Sequence, residues 1–323
     1  MSRIKAGVLG VGKMGEYHVG ILSENRDVDL VAISDQSEER GRVISERYSV
    51  PYFSDLEDML EKVDVAIIAV PTLLHYPVAK EVLSAGIHVL LEKPCADNLE
   101  HARELFDLAD KNNVILHIGH VERFNGAVQE LHKLVDDPIL VECKRMGPFV
   151  ERMKDDSVVL DTMIHDIDII LNLINAKVVR INVMGRSVFS EKDDVVCVQL
   201  EFETGCIASI VASRASQNKE RTLSITQKDS YVILDYTDQE IYVHRQASSD
   251  YRLTKDSLRY KQESLIERIF VHKDNPLKLE IQHFLDCVKN GTPRKVAVDN
   301  ELYSLEIALG IMEQFYKQNG IAH

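Results

Sequence analysis

Cysteine is scarce in this sequence, and its five copies among 323 residues include no CxxC pair. An odd number of unclustered cysteines excludes a disulfide framework and a zinc knuckle, and it indicates free thiols in a reducing compartment. Long apolar runs are also missing, since none reaches the ~18 residues of a membrane-spanning helix. The N-terminus enters a strand pattern directly, without the apolar region of a signal peptide. We therefore expect a cytoplasmic protein.

Positive charge is in deficit as well, because 38 Lys and Arg face 52 Asp and Glu, for a net charge of -14. Such a field repels phosphate backbones and anionic lipid heads, so we expect no nucleic-acid partner and no membrane partner. Hydrophobic residues make up 45% of the chain and charged residues 28%, which is typical of a globular protein and argues against disorder. The length predicts two domains, because single cores stop growing near ~250–300 residues.

Short apolar runs alternate with helical patterns in the first third of the chain. The runs are nearly continuous in Val, Ile, Leu and Ala, as expected when both faces of a parallel sheet are covered. The predicted strands are 4–10, 29–35, 63–70, 88–92 and 114–118, and the predicted helices are 14–23, 37–47, 55–61, 75–85 and 98–112. The third of these helices has a predicted capping box, Ser54 with Glu57. This alternation predicts βαβ units and a doubly wound α/β sheet.

The rhythm changes after about residue 123, where one apolar helix is followed by runs rich in β-branched residues. The helix is predicted over 160–175, and the strands over 178–188, 195–202, 206–213, 222–226, 232–236 and 241–244. Successive strands with short turns predict an open antiparallel β-sheet. Polar residues 246–275 predict a long loop, and two helices are predicted at 277–289 and 299–318. The second domain is therefore expected to be α+β and to cover residues 123–323.

A glycine motif, Gly-Val-Gly-Lys-Met-Gly, occupies residues 10–15, between the first strand and the first helix. Gly10 permits a tight turn, Gly12 lets the backbone approach a pyrophosphate, and Gly15 lets the helix pack on the strand. The N–H groups and the dipole at the helix start favour an anion. The motif predicts a Rossmann domain over residues 1–122. Its predicted cofactor contacts are Gly10, Val11, Gly12, Lys13, Met14 and Gly15.

Asp35 ends the second predicted strand, 20 residues after Gly15. A carboxylate at this place accepts hydrogen bonds from the adenosine ribose and repels a 2′-phosphate. The next four residues are Gln, Ser, Glu and Glu, with no arginine among them. We therefore expect NAD as the cofactor. Arg40 could still receive a phosphate, so the strictness of the preference over NADP stays open.

A Glu92-Lys93-Pro94 sequence lies at the carboxyl end of the fifth predicted strand. Ligands of open α/β sheets bind at that edge. Pro94 favours an extended conformation for Lys93, which directs the lysine side chain forward from the strand end. The alternative is a solvated loop lysine, but the neighbouring glycine motif favours a functional interpretation.

A polar stripe runs along the predicted helix 160–175. At ~100° per residue, its four members fall within about 60° of one another on a helix that is otherwise apolar. They are Asp161, His165, Asp168 and Asn172. A buried polar stripe needs partners, so we expect it to face a cleft. The alternatives are a helix-packing histidine with capping carboxylates, or a metal site. No third His or Cys lies nearby, so we expect no metal.

These features together resemble the glucose–fructose oxidoreductase/inositol dehydrogenase/MocA (Gfo/Idh/MocA) family over nearly the whole chain. The similarity rests on the glycine motif, Asp35, Glu92-Lys93-Pro94 and Asp161-x-x-x-His165, and it includes the segment 70–75, Val-Pro-Thr-x-x-His. The resemblance implies an N-terminal dinucleotide domain and a C-terminal open antiparallel sheet. It implies that Lys93, Asp161 and His165 are catalytic. It also places Val70, Pro71, Thr72, His75, Glu92 and Lys93 along the cofactor.

Two further stretches, 119–125 and 163–168, resemble the UDP-N-acetylglucosamine 3-dehydrogenases of this family. Those enzymes oxidise the C3 hydroxyl of the sugar to a ketone with NAD. The family often carries a glycine-rich run before its Asp-x-x-x-His motif, whereas residues 155–160 here contain no glycine. This departure argues against the polyol and free-sugar members more than against the nucleotide-sugar members. A sugar or nucleotide-sugar substrate is therefore implied.

The implied reaction moves a hydride from a secondary carbinol carbon to the nicotinamide. His165 is the expected general base, because imidazole titrates near neutral pH, and Asp161 would set its orientation. Lys93 would stabilise the developing alkoxide. The candidate substrate contacts are Lys93, Arg123, Asn125, Arg152 and His165, among which the arginines suit a diphosphate.

Other functional classes remain open at this point. One is an NAD- or sugar-sensing regulator on a dehydrogenase fold, although a sensor has no need of Lys93, Asp161 and His165 together. Another is a dehydrogenase of a different sugar or of a polyol such as inositol. A purely structural interaction protein is supported only by the apolar sheet face that is expected at an oligomer interface. Through that sheet we expect a homodimer or a homotetramer.

Overall fold

The computed structural model describes residues 3–151, 154–246 and 264–320. The chain divides into two compact units, one of residues 1–121 with 275–309 and one of residues 122–274 with 310–323. The predicted division at 122/123 differs from this at the C-terminal end, because it assigned all of residues 275–309 to the second domain. In the described part of the chain, no helix combines the length and the apolar character needed to cross a membrane.

The first unit is built on a six-stranded parallel sheet with the order β3-β2-β1-β4-β5-β6. Its strands are β1 (Ile4–Leu9), β2 (Val28–Ser34), β3 (Tyr52–Phe53), β4 (Val65–Ile68), β5 (His88–Glu92) and β6 (Leu116–Gly119). All four residues of β4 are buried, as the predicted double coverage requires. The doubly wound sheet is confirmed. Only β3 escaped prediction, because two residues are too short to show a pattern.

Helices follow the strands of this sheet at the predicted places. They are α1 (Lys13–Glu24), α2 (Glu38–Tyr48), α3 (Leu56–Leu60), α4 (His75–Ser84), α5 (Leu99–Lys111), α8 (Pro276–Asn290) and, in part, α9 (Val298–Asn319). The capping box predicted for α3 is wrong, since Asp55 is the N-cap and accepts the N–H of Glu57 at 2.8 Å. Asp55 directly precedes the helix, so its short side chain reaches the first turn where Ser54 does not.

The packing of α8 explains why the segment that begins at residue 275 belongs to the first unit. Its apolar residues Ile281 and Phe284 are fully buried in one core together with Ala6 and Val8 of β1. Local sequence pattern predicted α8 as a helix but carried no information on the sheet it covers. The division of the chain is therefore set by long-range burial rather than by sequence order.

The second unit contains an eight-stranded sheet with the order β14-β13-β12-β11-β7-β10-β9-β8. Its strands are β7 (Leu140–Met146), β8 (Val178–Arg186), β9 (Val195–Phe202), β10 (Ile207–Ser213), β11 (Glu220–Thr226), β12 (Ser230–Asp235), β13 (Glu240–Gln246) and β14 (Ser264–Ile269). The pairs are antiparallel except β7 with β10, which is parallel. The predicted open antiparallel sheet with helices is thus confirmed as a mixed, mostly antiparallel sheet.

Two strands of this sheet lie outside the predicted set. β7 alternates buried and exposed positions but carries charged residues on both faces, because Arg145 is buried. β14 occupies residues 264–269 of the predicted loop 246–275, of which residues 247–263 lie outside the described residues. The helices of this unit are α6 (Gly126–Leu134), α7 (Ile164–Ile174) and the last part of α9.

Candidate active site

The glycine motif forms the turn between β1 and α1, and its first and third glycines have local steric reasons. Gly10 has φ +81°, and a Cβ there would lie 2.7 Å from the carbonyl oxygen of Ala69. A Cβ on Gly15 would lie 1.8 Å from the carbonyl oxygen of Gly10, so any side chain would separate α1 from the turn. Both observations agree with the roles that the motif predicts.

Gly12 has a different environment, because a Cβ built on it would meet nothing within 4 Å. It is the N-cap of α1, and no side chain caps this helix. The first-turn N–H groups of a helix lack intrahelical partners, and together with the dipole they favour an anion. Open space beside uncapped N–H groups fits the pyrophosphate of a dinucleotide. Of the neighbouring predicted contacts, Val11 is buried whereas Lys13 and Met14 are exposed.

Asp35 lies directly after β2 and is fixed against the glycine turn. Its Oδ2 accepts the backbone N–H of Val11 at 2.7 Å, and its Oδ1 accepts that of Ser37 at 2.8 Å. The hydroxyl of Tyr52 donates to its carbonyl oxygen at 3.1 Å. A carboxylate has about four acceptor sites, so two remain for ribose hydroxyls. The position and the free acceptor sites fit the predicted role of Asp35 toward the adenosine ribose.

Arg40, the residue that left the cofactor preference open, is engaged within the protein. Its Nε donates to the carbonyl oxygen of Val11 at 2.9 Å, and its Nη2 donates to Glu16 at 2.6 Å. Glu16 also pairs with Arg47. Two of the three arginines of α2, Arg40 and Arg47, therefore share one carboxylate of α1.

The Glu92-Lys93-Pro94 corner follows β5, and its Lys93–Pro94 peptide bond is cis. The Glu92 carboxylate is buried, and its Oε1 lies 2.7 Å from Nε2 of His18, which is fully buried. Burial by itself raises the pKa of Glu92, but the hydrogen bond and charge of His18, aided by Lys93, hold this pKa below its ordinary value. The corner thus carries an ionised carboxylate next to Lys93.

His75 connects this corner with the segment after β4. Its Nδ1 lies 2.7 Å from the carbonyl oxygen of Pro94, and its Nε2 lies 3.0 Å from that of Val70. A neutral ring carries one N–H and can donate to only one of these carbonyls. Burial lowers the pKa of His75, although the hydrogen bonds to both carbonyls act to raise it. Its ring is therefore occupied on both sides by backbone, and a contact with the cofactor stays a prediction.

The predicted cofactor residues of the first unit lie at one edge of its sheet. They follow the carboxyl ends of parallel neighbours, because β1 pairs with both β2 and β4, and β4 pairs with β5. This edge includes the switch between β1 and β4, where open α/β sheets bind ligands. The residues are Gly10, Val11, Gly12, Lys13, Met14, Gly15, Asp35, Val70, Pro71, Thr72, His75, Glu92 and Lys93.

In the second unit, the helix that carries Asp161 and His165 does not begin as an α-helix. Residues Val159–Met163 form a π-helical turn, in which the N–H of Ile164 donates to the carbonyl oxygen of Val159. The predicted α-helix 160–175 is therefore wrong in its first turn and right over Ile164–Ile174. π-Turns are concentrated at functional sites. Asp161 lies within this turn, and His165 is the second residue of α7; both are partly buried.

Asp193, which sequence reasoning missed, holds the start of this helix. Its Oδ2 accepts the N–H of Val159 at 3.0 Å and the hydroxyl of Ser157 at 2.8 Å. The hydroxyl of Tyr316 donates to Oδ1 at 3.2 Å. Burial raises the pKa of Asp193, and these hydrogen bonds oppose the rise. Asp193 lies between two predicted strands in a Ser-Glu-Lys-Asp-Asp turn, and such polar turns normally indicate solvated residues.

The remaining members of the predicted polar stripe, Asp168 and Asn172, are hydrogen-bonded within the protein, and Asp168 forms a buried ion pair. Asp168 accepts two hydrogen bonds from Arg123, at 2.6 and 2.5 Å, and a third from Asn172 at 3.1 Å. Arg145 makes a second bidentate pair with Asp166, at 2.8 and 2.7 Å. Burial works against the charge of Arg145, but Asp166 raises the pKa of Arg145 well above its ordinary value. This half of the stripe therefore has structural partners.

The predicted substrate contacts differ in what the structure shows of them. Arg123 is buried in its pair with Asp168. Asn125 is the N-cap of α6, where its Oδ1 accepts the N–H of Ala127 at 3.1 Å, and its Nδ2 donates to the carbonyl oxygen of Tyr236 at 3.0 Å. Arg152 lies outside the described residues. The substrate roles of these three residues stay predictions.

Comparison with known proteins places this geometry in a family. The profile of the oxidoreductase family with an NAD-binding Rossmann fold matches residues 4–120, and that of the GFO/IDH/MocA C-terminal domain matches residues 121–233. The UDP-N-acetylglucosamine 3-dehydrogenase of Acidithiobacillus ferrooxidans is 27% identical over 294 residues, which cover 91% of each chain. The scyllo-inositol 2-dehydrogenase (NAD(+)) of Bacillus subtilis is 25% identical over 341 aligned positions, which cover 99% of this chain and 95% of that protein.

Solved structures share the fold of this chain. The Acidithiobacillus ferrooxidans UDP-N-acetylglucosamine 3-dehydrogenase GnnA superposes with a TM-score of 0.88 at 26% identity, over 98% of both chains. GenD2 from gentamicin A biosynthesis, solved in complex with NAD, has a TM-score of 0.80 at 21% identity, over 98% of this chain and 94% of its own. With consecutive family matches over residues 4–233, the chain belongs to the Gfo/Idh/MocA family of NAD-binding oxidoreductases.

Proposed function

We propose that this protein is an NAD-dependent dehydrogenase that oxidises the C3 hydroxyl of UDP-N-acetylglucosamine to the 3-keto sugar. The observation that supports this substrate best is the full-length match to a UDP-N-acetylglucosamine 3-dehydrogenase, at a TM-score of 0.88. The segments 119–125 and 163–168, which resemble that subfamily, support it further. Lys93, Asp161 and His165 are all present, as a catalytic function requires.

The proposed cofactor site uses the edge of the first unit's sheet. The glycine turn and the uncapped start of α1 hold the pyrophosphate, and Asp35 accepts the ribose hydroxyls. When bound, NAD accepts the hydride that leaves the carbinol carbon. The segment Val70–His75 and Glu92 line the same edge, where His75 and His18 hold the backbone and the carboxylate of the corner in place.

The catalytic roles follow from the chemistry of the side chains. His165 takes the proton of the reacting hydroxyl, because neutral imidazole is a base near physiological pH. Asp161 orients that imidazole. Lys93 donates a hydrogen bond to the same oxygen and stabilises its negative charge as the carbonyl forms. Arg123, Asn125 and Arg152 remain the proposed contacts of the substrate, with the arginines directed to its diphosphate.

A second candidate is a polyol dehydrogenase, which the match to the scyllo-inositol enzyme favours. The absence of the family's glycine-rich run from residues 155–160 favours a nucleotide-sugar substrate instead. A third candidate, a regulator that binds NAD or a sugar without turnover, leaves Lys93, Asp161 and His165 without a purpose.

The test is a turnover assay with UDP-N-acetylglucosamine labelled with deuterium at C3. Reduction of NAD is followed by absorbance, and deuterium in the nicotinamide is measured by mass spectrometry. We expect turnover and transfer of the label. Turnover with inositol but not with the nucleotide sugar would favour the polyol enzyme. Binding of NAD without turnover of any sugar or polyol would favour the regulator. Reduction without deuterium transfer would place the oxidation at another carbon.

We also propose a homodimer or homotetramer through the second unit's sheet. Backbone pairing aligns one row of residues across six strands, in which Ile207, Tyr231 and Ile266 are all exposed apolar side chains on one face. Exposed apolar faces of this kind mark protein interfaces. Light scattering after gel filtration should give an oligomer, and Ile207→Lys should dissociate it. A monomeric wild-type protein would contradict this assembly.

The five cysteines are all free, which fits the reducing compartment expected from the sequence. We propose that the reaction takes place in the cytoplasm, as the odd number of unclustered cysteines in the sequence predicts.

A further inference from the structure

We propose that Glu16 sets the preference of this protein for NAD over NADP by binding the arginine that would otherwise receive the 2′-phosphate. That arginine is Arg40. The inference rests on the proposed placement of the adenosine ribose at Asp35. Glu16 itself belongs neither to the glycine motif nor to the end of β2.

Val11 places Arg40 and Asp35 next to each other. The N–H of Val11 donates to Asp35 at 2.7 Å, whereas its carbonyl oxygen accepts from Nε of Arg40 at 2.9 Å. One residue thus bridges the carboxylate proposed to bind the ribose and a guanidinium. A phosphate on the 2′ oxygen of that ribose would enter the surroundings of both groups. Guanidinium groups bind phosphate with paired N–H donors.

Glu16 opposes this use of Arg40. Its Oε2 accepts from Nη2 of Arg40 at 2.6 Å, and its Oε1 pairs with Arg47. Two of the three guanidinium nitrogens of Arg40 therefore bind the protein, namely Nε at Val11 and Nη2 at Glu16. The carboxylate also offsets part of the positive charge of Arg40, so a 2′-phosphate would meet the negative charge of Asp35 beside an arginine that is already engaged.

The ion pair between Glu16 and Arg40 is less exposed to solvent than an ordinary surface pair. The Glu16 side chain is 22% exposed and the Arg40 side chain 39%. In the pair that Glu38 and Arg42 form within α2, the side chains are 64% and 66% exposed. Solvent weakens an interaction between exposed charges more than one between partly buried charges. Glu38→Gln is therefore a matched control, since it also removes a carboxylate from an arginine of α2, namely Arg42, whose Nε and Nη2 both donate to Glu38 rather than to Val11.

The test measures binding of NAD and NADP to the full chain without any substrate, by calorimetric titration. Glu16→Gln keeps the size of the side chain and removes its charge. We expect the ratio of Kd for NADP to Kd for NAD to fall about tenfold, or about 1.4 kcal/mol, mainly through tighter NADP binding. Glu38→Gln should leave the ratio within twofold of wild type. Arg40→Met added to Glu16→Gln should abolish the gain.

The titrations distinguish the role of Glu16, the role of Arg40 and the proposed cofactor site from one another. An unchanged ratio in Glu16→Gln, with normal NAD binding, overturns the role of Glu16 and leaves the proposed function intact. A gain that survives Arg40→Met overturns the role of Arg40 and reduces the effect to loss of a negative charge. A wild-type protein that binds neither dinucleotide contradicts the proposed cofactor site, and the inference fails with it. Thermal denaturation of each variant shows whether its fold is retained.

Discussion

Asp193 accepts the backbone N–H of Val159 at 3.0 Å, so a turn between two strands closes the first turn of the helix that carries Asp161 and His165. The next residue, Asp194, has a different set of partners. It accepts the N–H groups of residues 188–190 and the guanidinium of Arg214, the last at 2.5 Å. The two adjacent carboxylates are both fully buried, and their environments shift their pKa values in opposite directions.

Asp194→Asn should destabilise the protein most at neutral pH. Burial alone raises the pKa of Asp194, but three backbone N–H groups and Arg214 lower it to about 2. A carboxyl group whose pKa is lower in the folded than in the unfolded state stabilises the fold above the unfolded value, and this contribution is lost as pH falls through the folded value. We expect a loss of about 2 kcal/mol in the free energy of unfolding at pH 7. Urea denaturation from about pH 7 to pH 3 should show this loss shrinking; a loss that is constant with pH would contradict the assignment.

Asp193→Asn should show the opposite trend. Because burial raises the pKa of Asp193, its protonated form favours the folded state, and that contribution is present at low pH and lost as pH rises through the folded pKa. The variant does not titrate. As pH rises from about 4 to 7, the free energy of unfolding of Asp193→Asn should therefore increase relative to that of wild type. The free energy of unfolding of Asp194→Asn should decrease relative to wild type over the same range. Parallel pH trends in the two variants would show that the surroundings of Asp193 are misassigned.

Asp35→Ala should weaken NAD binding and reduce the difference in affinity between NAD and NADP. The carboxylate repels a 2′-phosphate, and it also holds Val11 and Ser37 through their N–H groups. We therefore expect weaker binding of NAD, by roughly tenfold or more for the lost hydrogen bonds, and a smaller change for NADP. Titration of both cofactors measures this, with Asp29→Ala as the control, because Asp29 pairs with Arg3 at the surface. Equal affinity for both cofactors in the wild-type protein would refute the role of Asp35.

Lys93→Ala should lower turnover far more than cofactor affinity. The lysine is assigned to the reacting oxygen, where negative charge develops only in the transition state. We expect kcat to fall on the order of 10² or more, with the Kd for NAD changed much less. Lys80→Ala is the matched control, because Lys80 is an exposed residue of α4 that pairs with Glu104. A Lys93→Ala variant with near-normal turnover would leave the corner with a structural role only.

The sequence predicted what local signatures can encode. The glycine motif and Asp35 were found because their spacing follows from the size of the ligand and the geometry of a strand–turn–helix unit. Arg145 and Asp193 were missed because their partners are 21 and 34 residues away, and only the folded chain brings a charged side chain of a strand or turn into the interior. The π-turn at Val159–Met163 was missed because a hydrophobic pattern fixes the apolar face of a helix but not the hydrogen bonds of its first turn.

His165 should set the acid limb of the pH–rate profile of the proposed oxidation. A general base must be unprotonated to accept the hydroxyl proton, so the rate should fall as pH drops through the imidazole pKa, which is ordinarily ~6.5. His165→Asn keeps a polar side chain of similar size and removes this titration. We expect kcat to fall by roughly 10²–10⁴ and the acid limb to flatten. His101→Asn is the control, because His101 lies at the surface of α5 beside Asp97 and should leave the limb unchanged.

This comparison is informative only when hydride transfer limits the rate. A substrate deuterated at the oxidised carbon establishes that condition, since an isotope effect on kcat appears only if breaking of the C–H bond is at least partly rate-limiting. If the isotope effect is expressed and His165→Asn retains the wild-type pH dependence, His165 is not the base. Lys93 would then be the next candidate, because it is the other basic residue in the proposed catalytic trio. A flattened limb together with an expressed isotope effect would assign the proton transfer to His165.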